Sequence, residues 1–131
     1  MKKIIIVAPI SDSLINFRGD LIQDIKNKGH EVITISPSPS EEYSNIFKKK
    51  KISNISINFK RNKINPFNDL ILLFKFFKIL KKQSPDIILS YAIKPVIWSG
   101  LASKFFKTDF YALITGLGFA FQGTSFKRKL L

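Results

Sequence analysis

Two short loops hold the residue types best suited to gripping an anionic or sugar ligand. Tyr91-Ala92-Ile93-Lys94-Pro95 follows the run Asp86-Ile87-Ile88-Leu89-Ser90, and Thr115-Gly116-Leu117-Gly118 follows Phe110-Tyr111-Ala112-Leu113-Ile114. The Lys94 ammonium would neutralise a phosphate or a sugar carboxylate, while Gly116 and Gly118 would let the backbone approach a ligand or adopt positive φ. A solvated loop lysine and a plain tight turn are the competing accounts. Arg18, at the start of the first expected helix, could join its guanidinium to free backbone N–H groups in holding a phosphate oxygen; a solvated arginine is the alternative.

Several chemistries fail on the residues present. The first strand-to-helix loop contains no glycine, so no phosphate can approach it as in a dinucleotide-binding turn. Gly116-Leu117-Gly118 lacks the third glycine of that fingerprint, where Phe121 stands, and no G-x-x-x-x-G-K-[ST] occurs. The chain has no cysteine, which removes disulfides, thiolate catalysis and Cys-ligated zinc, and its one histidine, His30, cannot build a multi-His metal site. His30 is expected to be structural, at a helix-to-strand connection on the edge opposite the two loops.

The elements that position these loops follow from periodicity. Ile4 to Ala8 is a continuous apolar run, as in a strand buried on both faces. Leu14, Phe17, Leu21, Ile22 and Ile25 then recur at helical spacing, and Lys28-Gly29 closes that helix before a second strand from Glu31 to Ser36. A short helical turn is expected near Tyr43 to Phe47. Ile55, Ile57 and Phe59 alternate with polar residues, predicting a third strand near a sheet edge. Asn65-Pro66 starts a helix running to about Lys82, mostly apolar, with Lys75, Lys78 and Lys82 gathered in one narrow sector. Such a helix packs on the sheet and a neighbour or lies partly in a membrane interface. A fourth strand spans Asp86 to Ser90, Pro95 opens a helix to about Lys107, and Phe110 to Ile114 is the fifth strand. Ser99, Gly100, Ala102 and Ser103 would let that helix approach the sheet closely, and Ser125 to Leu131 reads as the beginning of a further helix. Alternating β and α units predict a Rossmann-like α/β domain, a parallel sheet of about five strands flanked by helices.

The 131 residues, 45% of them apolar, suit one domain with one core. With 22 Lys and Arg against 9 Asp and Glu, the formal charge is +13, which draws a surface toward phosphates, nucleic acid or an anionic leaflet. AT-rich codon usage would raise Lys, Ile, Asn and Phe in any protein, so the charge carries little by itself. The basic, apolar start meets Pro9 and Ser11-Asp12 with no small-residue cleavage site, and Lys75 and Lys78 interrupt the best candidate for a bilayer span. A cytoplasmic location is expected.

Four segments together resemble a known family: Asn16-Phe17-Arg18-Gly19-Asp20-Leu21-Ile22, Lys28-Gly29-His30-Glu31-Val32, Ile93-Lys94-Pro95-Val96-Ile97-Trp98-Ser99-Gly100, and Ile114-Thr115-Gly116-Leu117-Gly118-Phe119-Ala120-Phe121. In this order they are similar to the N-terminal half of family 4 glycosyltransferases of the GT-B type, in particular bacterial enzymes that assemble capsule, O-antigen or other lipid-linked polysaccharides. The resemblance implies that residues 1–131 form a single acceptor-side domain, truncated at its C-terminal end, while a second domain of about 150 residues, the length of another domain, holds the nucleotide-sugar donor. It implies no metal and no cofactor besides that donor as co-substrate. It also implies that the isolated chain is inactive, and that side chains here position substrates rather than attack them. On this basis Asn16, Arg18, Tyr91, Lys94, Thr115, Gly116 and Gly118 are the expected acceptor- and phosphate-binding residues. Some retaining relatives carry a histidine after the fourth strand; Tyr91-Ala92-Ile93-Lys94 stands there instead, so no catalytic residue is assigned and retention or inversion stays open.

A lipid-linked glycan acceptor would make membrane contact useful. Lys48 to Lys51, Lys60-Arg61-Asn62-Lys63 and the stripe of Lys75, Lys78 and Lys82 would supply it at about 1 kcal/mol per lysine near an anionic leaflet. Solvated loops are the competing account. The expected location is the cytoplasmic face of the membrane, peripherally bound. A non-catalytic module that recruits a separate donor-binding subunit to the membrane is the alternative function; for specific nucleic-acid binding no recognition motif is present.

Overall fold

The computed structural model describes residues 1–59 and 66–114. Strands β1 (Lys3–Val7), β2 (Glu31–Ser36), β3 (Ser53–Ser56), β4 (Ile87–Tyr91) and β5 (Asp109–Leu113) form one parallel sheet in the order β3-β2-β1-β4-β5. Among the described residues, helices α1 (Ser11–Asn16), α2 (Gly19–Asn27), α3 (Glu41–Lys49), α4 (Pro66–Gln83) and α5 (Ile93–Ser103) cover its two faces. This is the Rossmann-like architecture expected from the alternation of elements.

β1 is apolar throughout because it is central. Ile5 stands opposite Ile33 of β2 on one side and Ile88 of β4 on the other. Below the sheet, Ile5, Val7, Ile35 and Ile88 meet Leu72, Phe76 and Leu80 of α4 and Ala102 of α5. Above it, Ile4, Ile6, Ala8 and Val32 meet Leu14 of α1, Ile22 of α2 and Phe47 of α3. Burying both faces leaves no position for a polar alternation. The small residues of α5 act as expected: Ser99, Ala102 and Ser103 are buried, and a Cβ on Gly100 would stand 3.1 Å from the Phe110 ring of β5.

Several boundaries differ from the periodic reading. The first expected helix is two, because Phe17 and Arg18 leave helical geometry (Arg18 φ −120°, ψ 0°) and separate α1 from α2. The break changes the phase of the apolar stripe, so Leu14 and Ile22 are buried while Phe17 is 76% exposed. Arg18 accordingly precedes α2 and does not open the first helix. Around Tyr43 a full helix forms, with Ser40 Oγ accepting the Tyr43 N–H at 3.4 Å and Glu41 and Glu42 in its first turn. β3 is the edge strand, as its alternation predicts, but its ladder stops at Ser56; Ile57 and Phe59 are nevertheless buried beside α4. α5 begins at Ile93 and ends at Ser103, placing Lys94 inside its first turn and Pro95 third, where a missing N–H is tolerated.

At the N-terminal ends of the strands, the Lys2 N–H donates to His30 Nδ1 at 3.0 Å and the Lys3 N–H to Asp86 Oδ2 at 2.8 Å. His30 thus has a structural partner, at the end of the sheet opposite the carboxyl ends of the strands. No helix among the described residues is long and apolar enough to cross a membrane.

Candidate functional site

The sheet order reverses between β1 and β4. The chain leaves β1 toward α1 and α2 above the sheet, and leaves β4 toward α5 below it. Diverging connections at such a point open a crevice beyond the carboxyl ends of the strands. Two of the expected site residues meet there. The Tyr91 hydroxyl lies 2.7 Å from Ser13 Oγ on α1, and the Arg18 guanidinium carbon sits 4.9 Å from the centroid of the Tyr91 ring. Two βαβ halves of the sheet are thereby tied across the crevice by a hydrogen bond and a cation–π contact.

The electrostatics of this cluster are one-sided. Arg18 Nη1 donates to the Phe17 carbonyl at a long 3.4 Å, and Nε is buried with no hydrogen-bond partner. No carboxylate among the described residues makes an ion pair with it; the ion pair found among them is Lys3 with Glu31, at 3.9 Å and at the N-terminal ends of β1 and β2. Burial pushes the Tyr91 phenol above its ordinary pKa, opposed by its bond to Ser13 and the charge of Arg18. Tyr91 is therefore a neutral phenol at physiological pH, unsuited to act as a base.

The turn after Tyr91 is a single residue. Ala92 links β4 to α5 with φ 72° and ψ 157°, a conformation otherwise held almost only by glycine. Its carbonyl accepts the Val96 N–H at 3.0 Å, closing the first turn of α5 immediately beside the crevice. Lys94 is half-buried in that turn.

Asn16, the last residue of α1, donates from its amide to the Tyr43 hydroxyl of α3 at 3.0 Å. Thr34 and Ser36 of β2 each donate to Asn54 Oδ1 of β3 at 2.8 Å. Thr115, Gly116 and Gly118 lie outside the described residues, as do Lys60 to Lys63 and the expected helix from Ser125. The sequence gives no sign of the part taken by Ser13, whose hydroxyl in the first turn of α1 finds a partner in β4 that no local pattern marks. No group of three or more His, Cys, Asp or Glu among the described residues could hold a metal ion.

Lys75, Lys78 and Lys82 are exposed on α4. The N-terminal half of that helix also exposes Phe67 (77%), Leu70, Ile71 and Phe74, and the adjacent start of α5 exposes Ile93 (78%) and Ile97. Because α4 returns from the end of β3 to the start of β4, this apolar surface lies at the same end of the sheet as the crevice.

Residues 3–131 match the family described as glycosyl transferase 4-like. The N,N'-diacetylbacillosaminyl-diphospho-undecaprenol alpha-1,3-N-acetylgalactosaminyltransferase of Campylobacter jejuni is 32% identical over 120 residues, covering 91% of this chain and 31% of that protein. A glycosyltransferase from Rickettsia africae superposes with a TM-score of 0.69 at 27% identity, over 85% of this chain and 29% of the other. MurG of Acinetobacter baumannii gives a TM-score of 0.70 at 16% identity over 95% and 36% of the two chains. A UDP-GlcNAc 2-epimerase from Neisseria meningitidis gives 0.62 at 13% identity over 85% and 32%. The last two likenesses are of fold alone. The chain spans 29% to 36% of the length of these relatives.

Proposed function

The chain belongs to the glycosyl transferase 4-like family, and from this we propose that it forms the acceptor-side wall of a glycosyltransferase. That enzyme would transfer a sugar from a nucleotide-sugar to a lipid-linked glycan in cell-surface polysaccharide synthesis. The observation that carries the reading is the Arg18 guanidinium held over Tyr91 at the sheet's reversal point, with no carboxylate among the described residues to neutralise it. The Campylobacter jejuni relative is named for a diphospho-undecaprenol substrate, the kind of anion an uncommitted guanidinium binds in a bidentate manner.

Arg18 would hold a phosphate oxygen of such an acceptor, with Lys94 in the first turn of α5 adding charge. Asn16, Thr115, Gly116 and Gly118 complete the proposed contacts. The work of these groups is orientation, bringing the acceptor hydroxyl to a donor held by a second domain or subunit. The exposed Phe67, Leu70 and Phe74, flanked by Lys75, Lys78 and Lys82, would rest on an anionic membrane surface, where the lipid part of the acceptor resides.

The decisive assay offers the intact protein, joined to its donor-binding part, a panel of UDP-hexoses and UDP-N-acetylhexosamines with undecaprenyl-diphosphate-linked sugars. Transfer that falls at least tenfold in Arg18→Gln supports the reading. No transfer to any such acceptor overturns it.

A further inference from the structure

Tyr91 is committed before any ligand arrives. It is 5% exposed, its hydroxyl is engaged by Ser13 at 2.7 Å, and its ring lies under the Arg18 guanidinium at 4.9 Å. Little of the side chain remains for a substrate. Arg18 is in the opposite condition: of the five N–H donors a guanidinium carries, Nη1 makes a long bond to the Phe17 carbonyl and the buried Nε has no partner. A flexible arginine beside a crevice would lose side-chain entropy on binding a ligand. One laid on an aromatic ring, itself fixed by a hydroxyl bond and by the one-residue turn at Ala92, has lost much of that freedom already.

We infer that Tyr91 is a positioning residue: its ring, anchored through its hydroxyl to Ser13, holds the Arg18 guanidinium between β1 and β4 in readiness for a diphosphate. Ser13 serves the same end by fixing the ring. The inference deepens the acceptor-side reading and rests on it for the identity of the anion. It moves Tyr91 from the ligand-contacting residues to those that act through another side chain.

The test is calorimetric titration of the purified intact protein with inorganic pyrophosphate, with circular dichroism confirming the fold of each variant. Arg18→Gln is expected to weaken binding at least tenfold. Tyr91→Leu, which removes the ring, is expected to weaken it about tenfold, within the range of a desolvated cation–π contact. In the Arg18→Gln background Tyr91→Leu should then change nothing further, because the ring acts through the arginine. Tyr91→Phe and Ser13→Ala each break the Ser13–Tyr91 hydrogen bond, and Ser13→Ala also removes the bond that Ser13 Oγ donates to the Ile10 carbonyl at 2.7 Å; each is expected to weaken binding about threefold, a typical single-bond effect, and the double variant no more than Ser13→Ala alone. This second cycle stands if Tyr91→Leu does not fold.

Absence of pyrophosphate binding to the wild type overturns the inference. So does an equal loss on Tyr91→Leu with and without Arg18, or additive effects of Tyr91→Phe and Ser13→Ala. If either result appears while sugar transfer still requires Arg18, the positioning role fails and the acceptor-side reading survives. Failure of transfer alongside an intact cycle would instead count against the acceptor.

Discussion

Replacing Ala92 by glycine should stabilise the protein, although alanine-to-glycine changes ordinarily do the reverse. At φ 72° and ψ 157° the Ala92 Cβ is forced against its own backbone, a strain of about 1–3 kcal/mol. Glycine removes the strain but frees the unfolded chain, which offsets about 0.4–1 kcal/mol. The net expectation is a gain of about 0.5–2 kcal/mol, or about 2–8 °C in Tm for a domain of this size. Urea unfolding followed by circular dichroism measures it, as a raised midpoint at constant slope. Ala92→Val bounds the effect from the other side, since a β-branched residue is least tolerant of positive φ, and it should lower the midpoint. Function should move against stability: a looser turn fixes Tyr91 less firmly, so Ala92→Gly should bind pyrophosphate more weakly while unfolding later. A midpoint lowered by the ordinary ~0.5–1 kcal/mol of an alanine-to-glycine change would refute the strain argument.

Phe76→Ala should destabilise by about 3–5 kcal/mol, since Phe76 is fully buried against Phe59 at a centroid distance of 6.0 Å; chemical denaturation reads it. Burial holds the Tyr91 phenol above the ordinary tyrosine range, so at high pH the folded protein keeps a proton that the unfolded chain releases. Stability therefore falls as pH rises above about 10, and Tyr91→Phe should show a shallower fall in a thermal-melt series across that range. Charge reversal at Lys75, Lys78 and Lys82 should abolish co-sedimentation with phosphatidylglycerol vesicles, since about 1 kcal/mol per lysine is lost and repulsion added. Wild-type protein that ignores such vesicles at low salt would remove the membrane-facing role of α4.

The order of elements was legible because a strand buried on both faces must be apolar along its length, as Ile4 to Ala8 and Ile87 to Leu89 are. The small residues of α5 likewise announced a close approach that Gly100 and Phe110 make. What stayed hidden is tertiary. Leu14, Phe17 and Leu21 fit one helix by spacing, yet the chain breaks at Phe17 and Arg18, where Arg18 is carried onto a ring 73 residues away (91 − 18). No local periodicity encodes that contact. The strained turn is equally silent, because the residue bearing it is an alanine, not the glycine by which positive φ is usually recognised. Arg18 and Tyr91 stand at element ends that the sequence marks, but their mutual contact and the share of Ser13 exist only in the folded chain.

The Ser13–Tyr91 bond joins residues 78 apart in sequence. Between them the chain must complete β2, β3 and α4 before β4 can pair with β1. Contacts of such long separation form late, since the entropy of closing the intervening loop must be met before they contribute. During synthesis, a nascent chain that has released β1 through β3 therefore possesses a flank of the sheet and the arginine, but no ring on which to rest it. The Tyr91 ring reaches the Arg18 guanidinium only when β4 takes its place beside β1 in the centre of the sheet, so the two sides of the crevice meet as the molecule closes on itself.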